Sequence, residues 1–217
     1  MKREQRPLTV LEWTTLTLRE ELLSGELRHG EPLKQDEISS RLGVSRMPVR
    51  EAIRTLAAEG LVIERPNRKA IVAPLFADDA LELFQIRAEL ECLAVRLSLR
   101  GLSSKQREHI SRAHEKLVVS PERDYPARHL EFHNALYAGA GPRLKALIEQ
   151  HIKLAERYLR VERSRLQVTE EDREEHEALL NAAMAGDTEL AVEILHPHIA
   201  EGGRAIAELF SRKDTDR

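Results

Sequence analysis

Two short amphipathic segments lie back to back between Gln35 and Gly60, with only Gly43, Val44 and Ser45 between them. In the first, Ile38 and Leu42 fall one helical turn apart. In the second, Val49, Ile53, Leu56 and Ala57 make a single apolar stripe. Gly43 suits the left-handed position just past a helix end. Ser45 suits an N-cap, and Pro48 falls in the first turn, where a missing N–H costs little. The β-rich runs LVIE (61–64) and AIVA (70–73) follow, separated by Arg65, Pro66, Asn67, Arg68 and Lys69, so a hairpin with a basic tip is predicted. A preceding helix over 8–24 carries Leu8, Leu11, Leu18 and Leu22 near helical spacing and stops at Gly25. Helix, turn, helix and hairpin in that order make a winged helix-turn-helix over residues 1–76.

Such a unit reads DNA when the second helix shows its N-terminal half to major-groove base edges and packs its apolar side inward. Arg46, Arg50 and Arg54 fall four apart on one side of that helix. A guanidinium pairs bidentately with guanine. The arginine and lysine of the hairpin tip suit phosphates or a minor groove. The chain has a net charge of −3, yet residues 1–76 hold 13 basic against 11 acidic side chains, while 77–217 hold 21 against 26. A local basic surface can serve DNA in a slightly acidic chain. On spacing alone, an ordinary helical packing unit with solvated arginines weighs about as much.

The run GEPLKQDEISSRLGVSRMPVREAIRTLAAEGLVIERPNRKAIV closely resembles the DNA-binding domain of the GntR family of bacterial regulators. LGVSR-x-PVREA, then L-x-x-EGLV, then PNR carry the likeness, which spans roughly residues 8–75. The resemblance implies that Ser45, Arg46 and Arg50 contact an operator and that the wing tip, Asn67, Arg68 and Lys69, reaches a neighbouring groove. Where the family has glycine after PNR, this chain has Lys69, which resists positive φ and passes the turn's strain to Asn67. Lys69 adds a phosphate-seeking charge in exchange.

From Asp78 onward the pattern is helical throughout, with helices expected at about 78–100, 104–118, 123–139, 143–165, 169–185 and 188–211. Thr169 with Asp172 makes an N-terminal cap. An antiparallel all-helical bundle over 77–217 is the natural architecture, and the fold class is mainly α. His129 and His133 stand i,i+4 on one face, a spacing that lets two imidazoles grip one cation. His176 lies near the start of a later helix and His198 in the last. On spacing alone, solvated or core histidines without metal account for these four better. His109, His114 and His151 have charged neighbours and no suggested second ligand.

The segments DDALELFQIRAELECLAVRLSL, LEFHNALYAGAG and EEHEALLNAAMAGDTELAVEILHPH resemble the FadR C-terminal domain, or FCD, which follows the DNA-binding module in many GntR regulators. R-x-x-L-E (87–91), F-H (132–133), E-H (175–176) and A-x-x-G-D (183–187) carry the likeness. Many members hold a divalent metal with one aspartate and three histidines at the floor of an effector cavity. The resemblance maps the histidines to His133, His176 and His198, and puts His129 where the aspartate usually stands. Four nitrogens suit zinc or nickel, or copper, better than an oxygen-seeking ion, although one negative charge is lost. Glu131 points off that face. Pro197 interrupts the last helix and leaves His196 as a competitor for the role of His198. Arg87 falls at an interior family arginine that would meet an anionic effector, typically a carboxylate. An internal Arg87–Glu91 pair is the better single explanation of it.

The chain therefore reads as a ligand-responsive transcription regulator, a repressor, binding a pseudo-palindromic double-stranded operator as a homodimer, with an organic-acid effector and a divalent metal in the helical domain. A helical metalloenzyme is the rival reading, but the sequence offers no HExxH, no paired carboxylates and no G-x-S-x-G beside the histidines. A metal-free dimerisation domain is the other. One cysteine, Cys92, permits no internal disulfide and suits a reducing compartment. With no apolar leader in MKREQRPLTV and no membrane-length run, a cytoplasmic protein is expected.

Overall fold

The computed structural model describes residues 8–64, 69–121, 123–162 and 169–215. The chain divides into two compact units, Met1–Phe76 with Glu156–Arg163, and Ala77–Ala155 with Ser164–Arg217. The fold is mainly α, with one two-stranded sheet among the described residues.

The first unit opens with α1 (Val10–Ser24), started by a capping box between Thr9 and Glu12 and ended by Gly25 at φ 82°. Helix α2 (Gln35–Leu42) ends at Gly43, whose φ of 66° lets its N–H bond Ser39 O and turns the chain into α3 (Arg46–Ala58). Strands β1 (Val62–Ile63) and β2 (Ile71–Val72) pair antiparallel, Val62 opposite Val72. The tip residues Asn67 and Arg68 lie outside the described residues; Lys69 is described and exposed. Leu18 and Leu22 of α1 pack with Ile38 and with Val49, Ile53 and Leu56 of α3, all at most 5% exposed. Burying a side chain of that size is worth roughly 1.5–3 kcal/mol, so this apolar seam fixes which side of α3 faces out. Two ion pairs brace it: Arg19 grips Glu59 at 2.6 and 3.0 Å, and Arg41 pairs with Glu21.

The second unit begins with α4 (Ala77–Leu99) and continues through α5 (Ser104–Val118), α6 (Tyr125–Leu136), α7 (Pro142–Glu162), whose residues from Glu156 on belong to the first unit, α8 (Glu170–Ala185) and α9 (Thr188–Thr215). Capping boxes start α5 at Ser103/Gln106 and α8 at Thr169/Asp172. Helix α9 lies against α4 at close range: a Cβ added to Gly203 would come within 2.4 Å of Phe84 Cβ. Pro197 sits inside α9, which runs on through it to Thr215. No described helix is long and apolar enough to cross a membrane.

Candidate functional site

Two sets of side chains stand out, one in each unit. In the first, α3 presents Arg46 and Arg50 outward, their side chains 75% and 47% exposed, while Val49 and Ile53 between them are fully buried. Arg46 is held by Asp36 of α2 at 2.5 Å, and an Nη of Arg50 rests 3.1 Å from Met47 Sδ. An exposed pair of this kind is worth at most about 1 kcal/mol, so parting Arg46 from Asp36 costs little. Arg54 turns to Glu51 at 3.2 Å. Ser45 occupies the N-cap position, yet its hydroxyl makes no capping bond. Pro48 at N3 has no N–H to offer it, which leaves only Met47 at N2 as a possible cap donor.

In the second unit, α6 supplies His129 and His133, α8 supplies His176 and α9 supplies His198. Their nearest ring nitrogens all lie within 4.8 Å of one another. His133 Nε2 is 3.3 Å from His176 Nε2, and His129 Nε2 is 3.5 Å from His198 Nε2. Nitrogens about 2.0–2.1 Å from a tetrahedral zinc would stand roughly 3.3–3.4 Å apart. Two of the six spacings are thus close to an edge of such a tetrahedron, and the set as a whole, within 4.8 Å, is somewhat wider.

The opposite ring nitrogens decide the protonation. His176 Nδ1 faces the carbonyl oxygen of Asp172, which only accepts. His198 Nδ1 lies 2.6 Å from the Glu175 carboxylate. His133 Nδ1 lies 3.1 Å from the Tyr137 hydroxyl, whose own proton goes to the Glu91 carboxylate. Each Nδ1 is therefore a donor, so a neutral ring carries its lone pair on Nε2, turned towards the cluster. Burial favours the neutral form of His129, His133 and His176. It holds His133 and His129 well below the usual imidazole range, with neighbouring imidazoles and Arg87 adding to the shift, and it brings His176 down to about 4. Converging lone pairs repel in the absence of a cation and grip one when it is there. The donor set fits a divalent transition metal.

Glu91 is fully buried and carries the arrangement on its other side: Arg87 Nε donates to it at 2.9 Å, and the guanidinium lies 4.8 Å from the centre of the Phe84 ring. Burial and Glu91 drive the Tyr137 hydroxyl well above its usual range, so it stays protonated. Of the ring-orienting groups, Tyr137 and Glu175 escaped sequence reasoning; Tyr137 stands one turn beyond His133, and that i,i+4 relation was the available signal. His196 stays outside the cluster at 3.3 Å from Glu89. Glu131 pairs with Lys116 and Arg128. His114, which the charged neighbours made look unremarkable, is buried edge-on against Phe132.

Comparison with known proteins gives a consistent result. The model for bacterial regulatory proteins of the gntR family matches residues 15–72, and the FCD domain model matches residues 82–201. The chain is 32% identical over 186 residues, 83% of its length and 81% of the relative's, to a probable D-xylose utilization operon transcriptional repressor of Paenarthrobacter nicotinovorans. It is 29% identical over 195 residues, 84% of this chain and 89% of the other, to the HTH-type transcriptional repressor GlaR of Escherichia coli strain K12. Among solved structures, a GntR-family regulator from Pseudomonas syringae pv. tomato DC3000 is 33% identical with a TM-score of 0.58, covering 99% of this chain and 92% of that one.

Proposed function

Because the chain belongs to the GntR family of bacterial regulatory proteins and carries that family's FCD domain, and is a transcription regulator and not an enzyme, we propose that it is a repressor relieved or engaged by a small organic acid. Residues 1–76 would read a pseudo-palindromic operator as one half of a homodimer, and residues 77–217 would sense the effector. Ser45, Arg46 and Arg50 would reach base edges, with Asn67, Arg68 and Lys69 at the wing on phosphates or a neighbouring groove.

The sensing half rests on one observation: three imidazoles from three helices, each with Nδ1 held as donor, turn their Nε2 lone pairs to a common point. His129, His133, His176 and His198 would hold a divalent metal there, zinc or nickel fitting an all-nitrogen set. Expansion beyond four ligands would give such an ion a place for an oxygen donor. With a neutral imidazole at His129 in place of an aspartate, none of the four direct ligands would offset the charge of the ion, and a carboxylate effector would supply one that does, with Arg87 as its proposed second contact. Effector binding and operator binding would then be coupled through a shared free energy, typically 1–3 kcal/mol.

Elemental analysis of purified protein, followed by calorimetric titration with a panel of short carboxylic acids, tests this. About one metal per chain and carboxylate binding that disappears on chelation are expected. Metal-free protein that still binds a carboxylate and still responds in a mobility-shift assay would remove the metal from the reading.

A further inference from the structure

Helix α4 buries Phe84, Ala88, Cys92 and Val95 on one side. Its other side is open, and the order of residues there is regular: Glu82, Ile86, Glu89, Leu93, Arg96 and Arg100 follow each other at spacings of four and three. That is the seam of a helix that packs against another helix. Ile86, Leu93 and the adjoining Leu97 are 39%, 45% and 52% exposed. The charges are segregated along the axis, Glu82 and Glu89 towards the N-terminus and Arg96 and Arg100 towards the C-terminus.

We infer that this face is where two copies of the chain meet, α4 against α4, antiparallel about a two-fold axis at residues 91–92. In that arrangement Glu82 faces Arg100 of the second copy, Ile86 faces Arg96 and Leu97, and Leu90 faces Leu93. The parallel alternative stacks acid on acid and base on base. A two-fold contact is self-complementary by construction, and this helix is complementary to itself in one direction only.

Area requires a second contributor. A 23-residue helix is about 35 Å long and about 10 Å wide, so its open face offers on the order of 350 Å² per copy. A specific interface needs roughly 600 Å² per partner. The remainder comes from α9, which runs antiparallel to α4. With Gly203 set against Phe84 and His196 against Glu89, Leu190, 44% exposed, comes near the level of Arg96 and Leu97.

This inference rests on the homodimer of the proposed function, and the test separates the two. Two full-length variants are made, Arg96→Glu with Arg100→Glu, and Glu82→Lys with Glu89→Lys, and each is followed by sedimentation velocity alone and after mixing. Wild type is expected to be dimeric. Each variant alone, with one sign of charge along its seam, is expected to dissociate at least tenfold more readily, and the equimolar mixture is expected to reform a dimer containing both. Repair on mixing is a result that misfolding cannot imitate. Variants that stay as dimeric as wild type, or a mixture that stays monomeric, overturn the α4 face and leave the dimer to another surface. A monomeric wild type overturns both readings. Independently, an equimolar mixture of Leu90→Cys and Leu93→Cys chains, the two positions that face each other, is expected to give a covalent mixed dimer on mild oxidation; its failure to crosslink in a dimeric protein also overturns the face.

Discussion

Single side chains carry separable duties here. Arg50→Ala is expected to weaken operator binding by about 1–3 kcal/mol and to relax preference at one base position, while Lys69→Ala weakens binding to all sequences alike. Ser45→Ala makes a sharper case. Because that hydroxyl caps nothing, the substitution is expected to leave urea-unfolding stability within about 0.5 kcal/mol while operator affinity in a mobility-shift titration falls. A loss of a full kcal/mol in stability would mean that the serine is a structural cap. His176 offers a pH signature. Its folded pKa, about 4, lies below the unfolded value near 6.5, so between those limits the unfolded chain binds the extra proton. Stability is thus complete above about pH 6.5 and declines as pH falls towards 4, by up to about 1.4 kcal/mol per pH unit for this group. His176→Gln should flatten that limb in metal-free protein, read from urea midpoints across the pH range.

At the level of elements, the tightest constraint joins α4 to α9. Alanine in a helix is ordinarily about 1 kcal/mol better than glycine, but a methyl at Gly203 meets Phe84 Cβ at 2.4 Å, an atom too near the backbone to swing aside. Gly203→Ala is therefore expected to destabilise by about 1–3 kcal/mol in a thermal or urea melt, the reverse of the propensity trend. No sequence pattern announced that contact, since Gly202 and Gly203 lie over 100 residues from Phe84. What the sequence did disclose follows the same logic. Periodicity and caps were legible: Gly25, Gly43 and the Thr169/Asp172 box stand at the expected helix ends, and the apolar stripe of α3 is buried at Val49, Ile53 and Leu56, with Ala57 partly so. Properties set by partners from distant helices were not. Tyr137 and Glu175 fix ring orientation through neighbours that only folding supplies, and His114 vanishes into the interior against Phe132 despite charged residues on either side. Ser45 had the right residue type for a cap and the wrong neighbour three places on.

For the whole molecule, net charge hides a division of labour, with 13 basic against 11 acidic residues over 1–76 and an acidic excess beyond. Operator affinity is accordingly expected to fall linearly on a log–log plot against salt, with a slope of about −0.9 per phosphate contacted; a flat plot would contradict phosphate-driven binding. The imidazoles are unevenly enclosed. His133 and His176 are 3% and 2% exposed, while His129 and His198 are only half-buried, so an ion seated among them would be approached from the side of the latter pair. A carboxylate bound there would stand in its way out, and loss of the ion under a chelator should slow when such an acid is present.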